Sequence, residues 1–433
     1  MRNIKSASYG LAPLATLALV LSLVITLLAT PALAEGAVEL VELWHKAYDS
    51  DRDDLALDVA VDSEDNIIVT GYTKNGDGNT DYYTIKYDQD GNEIWNKSYD
   101  GGNNDEAHGV AVDSEDNIIV TGHSYNASGN EKDNYYTIKY DRDGNEIWNQ
   151  TYADGNLDWA MGVAVDSQGN IIVTGDSRWA GSSSYLTIKY NQNGTEIWNN
   201  STGGNEAFGV AVDSEDNVIV TGQAGYPSGY WHTIKYHGAN GTQIWLVTYG
   251  GGGDNEGHRV AVDSEDNIIV TGTSQPYFTH ANFWNYHTIK YDHNGKEIWS
   301  KTYETGYSNW PMGLAVDSAD NVIVTGYSSD GSTDYNYYTI IYDKDGNEIA
   351  SATYDSGYDD EAMGVAVDSE GSIIVTGHST NENGNKDYYT IKYETVPAGC
   401  GGLSGGAIAG IAVGAFVAGG IISYFISRRT RAG

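Results

Sequence analysis

Hydrophobic and polar positions along this chain recur as a block of about fifty residues. A block opens on an apolar run such as GVAVD (109–113), turns through SEDN and returns as IIVTG (118–122). A variable stretch follows, then YYTIKY (135–140), a DRDGN turn and EIWNQTY (146–152). Runs rich in β-branched and aromatic residues, joined by tight Asp-Gly and Asn-Gly turns, predict four β-strands per block. No helical period appears between residues 42 and 394.

Seven such blocks follow one another along the chain. Their runs are nearly continuously apolar, which predicts burial on both faces. A period of this length is typical of propellers, because one unit cannot bury both of its faces alone. The pattern therefore predicts an all-β fold, a seven-bladed β-propeller with four strands per blade. Each block carries the Asp of a VAVDS or LAVDS motif, at positions 62, 113, 166, 213, 263, 317 and 368.

The first and last blocks are incomplete in complementary ways. The octet ELWHKAYD (42–49) matches the fourth strand of a block, whereas the seventh block ends at TIKYETVPAG after three strands. We expect strand 42–49 to complete blade 7 beside residues 388–393. Such a closure leaves no severed blade in the ring.

Both ends of the chain carry targeting patterns. Arg2 and Lys5 precede an apolar run that ends in PALA, which predicts a signal peptide over residues 1–34, cleaved after Ala34. Residues 403–427 are apolar and free of charge, and a basic tail follows at 428–433. This pattern predicts a transmembrane helix with a cytoplasmic tail.

These patterns predict a single-pass protein of the prokaryotic cell membrane, with an extracellular propeller over 35–394 and a linker over 395–402. The variable loops are expected to point away from the cell. Small residues at Gly406, Gly410 and Gly414 would allow two such helices to dimerise. Alternatively, the CGG sequence, the apolar span and the arginines form a C-terminal sorting signal that is removed.

The repeated motifs also resemble a known family. GVAVDSEDNIIVTG resembles the opening half of the bacterial and archaeal seven-bladed β-propeller repeat family and, more distantly, NHL repeats. DGNEIW is similar to the Trp-bearing turn of pyrroloquinoline-quinone enzyme repeats. The resemblance covers residues 42–394 and implies the propeller fold. It implies no catalytic set, since such propellers carry many unrelated activities.

The net charge excludes one class of partner, and the cysteine count excludes one kind of cross-link. Sixty acidic residues against 23 basic ones give a formal charge of −37, which repels nucleic-acid phosphates. We therefore expect no nucleic-acid partner. A single cysteine, Cys400, excludes intramolecular disulfides.

Positions that recur in all blocks cannot make one blade special, so they are interpreted as structural. The repeated Asp and the Ser after it can bond the backbone of their own turn, and Gly71 and its equivalents permit positive φ or a close approach. A Trp recurs in the fourth strand, where it can pack against the next blade, and Ala350 replaces it in block six.

Function is expected where the blocks differ, in the loops of the variable face. This face comprises the loops between second and third strands and those entering the next blade, whereas the SEDN and DGN turns form a uniform face. Aromatic residues of blocks three to six predict an arc that binds a glycan or a surface protein. The alternative is that these rings pack their own loops. The ligand-binding candidates are Trp159, Trp179, Trp231, Trp284, Trp310, Tyr230 and Tyr277.

An acid recurs at one position of the predicted central mouth. Glu106, Glu206, Glu256 and Glu361 occupy it, with Leu55, Trp159 and Trp310 in the other blocks. Paired carboxylates there would suit an extracellular lyase or glycosidase, whereas four recurring acids without a unique partner suggest rim charge. The favoured reading is a non-catalytic binding propeller. A structural envelope or coat component is the third alternative.

Cofactor and modification signals are sparse. The ten histidines show no ligand spacing, and His108 and His258 are interpreted as rim residues, so no metal or cofactor is expected. Calcium at DxDGN turns, such as Asp88 to Asn92, is the minor alternative. Sequons that suit glycosylation of an exported surface lie at Asn96, Asn126, Asn149, Asn193, Asn199 and Asn240.

Overall fold

The computed structural model describes residues 38–398 apart from 126–131, 154–156, 180–181, 204, 226–228, 251–252, 276–282, 330 and 332–333. All regular elements in this part are β-strands, and they form seven four-stranded sheets. None of these residues belongs to a helix that could cross a membrane. The predicted all-β seven-bladed propeller is confirmed. The signal peptide with its cleavage after Ala34, the apolar span with Gly406, Gly410 and Gly414, and the basic tail lie outside the described residues.

The first three blades run in chain order from the innermost to the outermost strand. Blade 1 contains β2 (Asp54–Val61), β3 (Ile67–Lys74), β4 (Thr80–Tyr87) and β5 (Glu93–Tyr99). Blade 2 contains β6 (Asp105–Val112), β7 (Ile118–Tyr125), β8 (Asp133–Tyr140) and β9 (Glu146–Tyr152). Blade 3 contains β10 (Leu157–Val165), β11 (Ile171–Trp179), β12 (Ser182–Tyr190) and β13 (Glu196–Gly203).

Blades 4 to 6 repeat the same order. Blade 4 contains β14 (Glu206–Val212), β15 (Val218–Ala224), β16 (Tyr230–Tyr236) and β17 (Gln243–Tyr249). Blade 5 contains β18 (Asn255–Val262), β19 (Ile268–Ser274), β20 (Asn285–Tyr291) and β21 (Glu297–Tyr303). Blade 6 contains β22 (Asn309–Val316), β23 (Val322–Ser328), β24 (Asn336–Tyr342) and β25 (Glu348–Tyr354).

Blade 7 is built from both ends of the described chain. Its order is β26 (Asp360–Val367), β27 (Ile373–Thr380), β28 (Lys386–Pro397) and β1 (Val38–Tyr48). The N-terminal strand thus supplies the missing fourth strand, as predicted, although it starts before residue 42. Strand β28 also continues into the predicted linker, which therefore cannot begin at residue 395.

The hydrophobic core lies between neighbouring blades. Ile68 of blade 1 packs with Ile118 and Val120 of blade 2, and all three are fully buried. Equivalent clusters recur around the ring, which accounts for the continuously apolar second strands. Gly71 needs a close approach and not a positive φ, because a Cβ there would collide with the Leu55 carbonyl oxygen.

The repeated Asp organises the uniform face. Asp62 accepts the backbone N–H groups of Glu64 and Asn66 at 3.0 and 2.8 Å and pairs with Lys86 Nζ at 2.8 Å. In blade 6, Ile341 takes the place of the lysine. Six blades form this buried ion pair: Asp62–Lys86, Asp113–Lys139, Asp166–Lys189, Asp213–Lys235, Asp263–Lys290 and Asp368–Lys392.

The serine after each Asp does not bond its own turn, contrary to the sequence expectation. Ser63 instead donates from its N–H and its hydroxyl to the Asp116 carboxylate of blade 2, at 3.0 and 2.8 Å. Asp116 sits in the left-handed region, with φ of 61°. This geometry turns its carboxylate into a link between blades.

The outer-strand Trp bonds six of the seven blades to the next blade, as predicted. Trp95 Nε1 and Lys86 Nζ both donate to the Arg142 carbonyl oxygen in the β8–β9 turn, each at 3.2 Å. Blade 6 carries Ile341 and Ala350 at the two donor positions. The next blade along is blade 7, whose third and fourth strands come from opposite ends of the chain. It has no such turn to accept the bonds, so the closure explains why block six lacks both donors.

Candidate functional site

A β-bulge in the innermost strand of every blade shapes the central channel. In blade 2 the pairing passes from Ala107–Gly122 to Gly109–Thr121 and leaves His108 unpaired. Such bulges redirect a side chain without breaking the sheet. The bulged residues of the seven blades form a ring, namely Leu57, His108, Met161, Phe208, His258, Met312 and Met363.

Two cavities open along this ring. The larger, of about 550 Å³, is lined by Glu106, His108, His123, Asp133 and Trp159 among others. The smaller, of about 250 Å³, is lined by all seven bulged residues together with Glu256, Arg259, Trp310 and Tyr327. The larger cavity is the candidate functional site, because Glu106 and Trp159 of the predicted mouth position line it together with His108 and His123.

Two of the predicted aromatic residues line these mouth cavities. Trp159 stacks on His123 with ring centroids 5.2 Å apart, donates to the Asp133 carboxylate at 2.8 Å and lies 4.4 Å from the Arg178 guanidinium carbon. Trp310 stacks on Tyr327, also at 5.2 Å. Both tryptophans are half-buried and keep part of their ring surface accessible.

Trp231 does not belong to the exposed arc, contrary to the prediction. It is 1% exposed, it packs between blades 4 and 5, and its Nε1 donates to Thr221 Oγ1 at 2.8 Å. The motif YWHTIKY shows why, because Trp231 occupies the strand position that Tyr82 holds in YYTIKY. Comparison of strand registers, and not of loop composition, would have detected this.

The remaining arc residues are dispersed. Trp284 is half-buried, and Tyr230 is exposed at the start of β16. No side-chain position is described for Trp179, and Tyr277 lies outside the described residues. Tyr307 and Tyr358 are also exposed, at 42% and 46%, and Tyr358 was not among the predicted residues because it lies in block seven.

The four mouth glutamates occupy one equivalent half-buried position, as predicted, and each has a different partner. Glu106 accepts from Thr80 Oγ1 at 3.2 Å, and Glu206 pairs with Arg178 at 2.7 Å. Glu256 accepts from Gln223 at 2.8 Å, and Glu361 lies 3.5 Å from Lys386 Nζ. Neither of the two cavities is lined by more than one of these acids.

Two histidines meet beside Glu106, a contact that the sequence analysis did not predict, since it interpreted His108 only as a rim residue. His108 Nε2 lies 3.1 Å from His123 Nδ1. Glu106 is paired directly with His123 across β6 and β7, so its carboxylate lies on the same side. Burial lowers the pKa of His108 well below its ordinary value and that of His123 to about 4.

Aspartates at the blade entrances of the variable face crowd together. Asp81, Asp100 and Asp105 bring carboxylate oxygens within 4.8 Å of one another, and Asp387, Asp49 and Asp54 do the same at the next entrance. Burial, followed by the charges of its neighbours, raises the pKa of Asp105 to about 6. Burial likewise raises the pKa of Asp387 to about 6.

The DxDGN turns and the sequon asparagines of the described residues lie on uniform-face turns and outer strands. The Asp88 carboxylate is engaged by its own DxDGN turn, accepting Asn92 N at 2.7 Å and Asn92 Nδ2 at 2.9 Å. Calcium at these turns remains a prediction. Five sequon asparagines are exposed, and Asn126 lies outside the described residues: the five are Asn96, Asn149, Asn193, Asn199 and Asn240.

Comparisons with known proteins extend to the fold. No family model matches the chain, so the resemblance to the prokaryotic repeat family remains a prediction. The uncharacterized WD repeat-containing protein L264 of Acanthamoeba polyphaga mimivirus is 28% identical over 152 residues, which cover 27% of this chain. The match spans only 11% of that relative.

Two solved structures are similar over most of the chain. The WD40 domain of Neurospora crassa Pan2 has a TM-score of 0.54 at 11% identity, covering 83% of this chain and 97% of that one. The Dos1 propeller has a TM-score of 0.52 at 11% identity, covering 82% and 95%. At such identities the likeness shows the fold alone. That fold is a β-propeller.

Proposed function

We propose that this chain is a non-catalytic binding propeller, held at a cell surface, that takes an extracellular glycan or protein on its variable face. The observation that carries the proposal is the pair of mouth tryptophans. Trp159 and Trp310 occupy the mouth position that holds glutamate in four other blades, and each lines a cavity. Large rings at such positions offer contact area at low entropy cost.

The exposed rings outside the mouth extend this surface. Tyr230 and Tyr307 are about 40% exposed on the same face, in blade 4 and at the entrance to blade 6. On the uniform side the corresponding positions are repeated in nearly every blade and serve the frame. The residues that differ from blade to blade therefore lie mainly on the variable face. Only such residues can distinguish one ligand from another.

The distribution of the mouth acids favours binding over glycoside hydrolysis. A glycosidase places two carboxylates about 5–10 Å apart on either side of one bond. Here four blades carry one such glutamate each, and each is engaged by its own partner, as Glu206 is by Arg178. Asp133, the other carboxylate beside Glu106 in the larger cavity, accepts the Trp159 N–H at 2.8 Å. The placement at a cell surface rests on the terminal sequence patterns and on the exposed sequons.

The test is binding of the purified full-length chain to a glycan array and to an array of surface proteins. We expect the double variant Trp159→Ala and Trp310→Ala to lose binding by at least tenfold. The matched control is Ile94→Ala with Ile298→Ala, which removes two side chains about 50% exposed on outer strands. That control should bind like the wild type. Equal binding by the tryptophan variant would contradict the proposal.

A further inference from the structure

Glu106, His108 and His123 bring three ligand atoms within 4.8 Å of one another at the mouth of blade 2. We propose that they form a binding site for one divalent transition-metal ion, with Zn²⁺ as the best-suited ion. Among the described residues, this is the only such group that contains histidine, since the other two are made of aspartates alone. The proposal does not rest on the proposed binding of a glycan or protein, although the site opens on the same cavity as Trp159.

The local fold explains how residues from two strands converge. Glu106 and His123 face each other as a cross-strand pair of β6 and β7. The bulge at His108 frees this residue from the ladder and turns it toward the channel. Sequence spacing shows none of this, because His108 and His123 are fifteen positions apart and meet only through strand register.

The donor set has the chemistry of a zinc site with an open position. Two imidazoles and one carboxylate bind Zn²⁺ in many catalytic centres, with Zn–N distances of about 2.0–2.1 Å. Two nitrogens bound to one ion at that distance lie roughly 3 Å apart, and the His108–His123 separation is 3.1 Å.

The surroundings hold the ligands in place. Trp159 stacks on the His123 ring, and Thr80 donates to the Glu106 carboxylate at 3.2 Å. Such outer contacts orient ligands and tune metal affinity. The adjoining cavity of about 550 Å³ gives an ion access and leaves room for a further donor atom.

Blades 5 and 7 provide internal comparisons because each lacks one donor. In blade 5, Glu256 and His258 are present, Thr273 replaces the second histidine, and His258 Nδ1 is bonded to the Pro311 carbonyl oxygen at 2.8 Å. In blade 7, Glu361 and His378 are present, but Met363 replaces the bulged histidine. Of the seven blades, blade 2 alone brings the full set together.

The test is titration of the untagged, metal-free full-length chain with Co²⁺, followed by its visible absorption, and with Zn²⁺ in competition. We expect one equivalent that gives ligand-field bands and is displaced by Zn²⁺. His108→Ala and His123→Ala should each weaken binding more than about 100-fold, because losing even an outer partner costs about 10–100-fold. The conservative Glu106→Gln should weaken it at least tenfold.

The matched controls are His258→Ala and His378→Ala, which remove histidines from the incomplete sets. Both should bind Co²⁺ like the wild type. Thermal unfolding in EDTA would establish that each variant is folded. Absence of the bands in the wild type, or an equal loss in the two controls, would overturn the proposal. X-ray absorption of the Zn²⁺-loaded wild type should show two imidazole ligands, and scattering from none would also overturn it.

Discussion

The pKa values of aspartates are shifted in opposite directions on the two faces of this propeller. On the uniform face, burial opposes ionisation of Asp263, but hydrogen bonds from Lys290 and Asn267 outweigh it, and the pKa lies below its ordinary value. On the variable face, burial and then neighbouring acids raise the pKa of Asp105 to about 6. On the uniform face the ionised carboxylates are stabilised by bonds that connect the strands. On the variable face burial and neighbouring acids disfavour the ionised carboxylates, which lie beside the candidate site.

The difference separates stability from specificity. A frame repeated around the ring needs the same bonds at each interface, so its aspartates, lysines and tryptophans recur. The mouth residues bear no such requirement, and they differ from blade to blade. The largest losses of stability are therefore expected on the uniform face, and gains are available on the variable face.

The largest effect is expected from Asp263→Ala. This change removes the turn bonds and leaves Lys290, whose side chain is 5% exposed, without its partner at 2.7 Å. Breaking a buried pair in this way costs about 3–5 kcal/mol. Denaturant unfolding of the full-length chain would measure the change.

Blade 6 offers the matched control for this prediction. Asp317 makes the same turn bonds, to Ala319 N at 2.8 Å and Asn321 N at 2.9 Å, but Ile341 stands at the lysine position. Asp317→Ala should therefore cost only about 1–2 kcal/mol, the contribution of the turn bonds. Equal losses in the two variants would show that the ion pair contributes little to the frame.

A smaller loss of stability is expected at Gly257 of blade 5, which leaves room for the Trp231 side chain. Six blades carry tyrosine at the Trp231 position, and Gly257 faces the indole where five other blades have alanine. A Cβ at Gly257 would collide with Trp231 Nε1 and with Thr221 Oγ1. Gly257→Ala should therefore cost about 1–3 kcal/mol through overpacking.

Trp231→Tyr should relieve that collision. In a double-mutant cycle followed by denaturant unfolding, Gly257→Ala should cost little once Trp231 is tyrosine, which leaves a coupling of about 1–3 kcal/mol. Simple additivity of the two changes would mean that the glycine serves another purpose. The outcome decides whether Trp231 belongs to the frame, as its burial indicates, or to the arc in which the loop composition had placed it.

Most of the repeated strand architecture could be predicted because the seven blocks can be compared with one another. Strand number, blade number and the closing strand follow from the repeated motifs, and even Ala350 is explained once blade 7 is known to lack the accepting turn. The role of Lys86 was not predicted, because its bond to the Arg142 carbonyl oxygen depends on the position of the β8–β9 turn in the next blade. Ser63 was assigned to its own turn for the same reason.

The candidate site could be predicted only by position. The mouth acids and Trp159 align with one another across blocks, and Glu106, Glu256 and Trp159 line the two cavities. The meeting of His108 with His123 depends on a bulge and on strand register, which a one-dimensional spacing does not contain. Trp231 was misplaced because loop composition outweighed its alignment with Tyr82.

The smallest effect is expected when the same change, aspartate to asparagine, is made once on each face of blade 2. Folding binds a proton to Asp105 between its ordinary pKa of 3.8 and about 6, so the stability it contributes is full below pH 3.8 and is lost as the pH rises through 6. Asparagine fits the site, since Asn255 and Asn309 hold the equivalent positions. Asp105→Asn should thus raise the free energy of unfolding at pH 7 by about 1 kcal/mol, allowing for solvent screening, and leave it unchanged at pH 3.5.

Asp113 of the same blade should respond with the opposite sign. Burial opposes its ionisation, but hydrogen bonds from Lys139 and Asn117 lower its pKa, so its contribution is present above pH 3.8 and is lost as the pH falls through the folded value. Asp113→Asn should therefore destabilise the protein at pH 7, and less so in acid. Denaturant unfolding of both variants at pH 7 and pH 3.5 measures the contrast. If both variants changed in the same direction at pH 7, the opposition between the faces would be wrong.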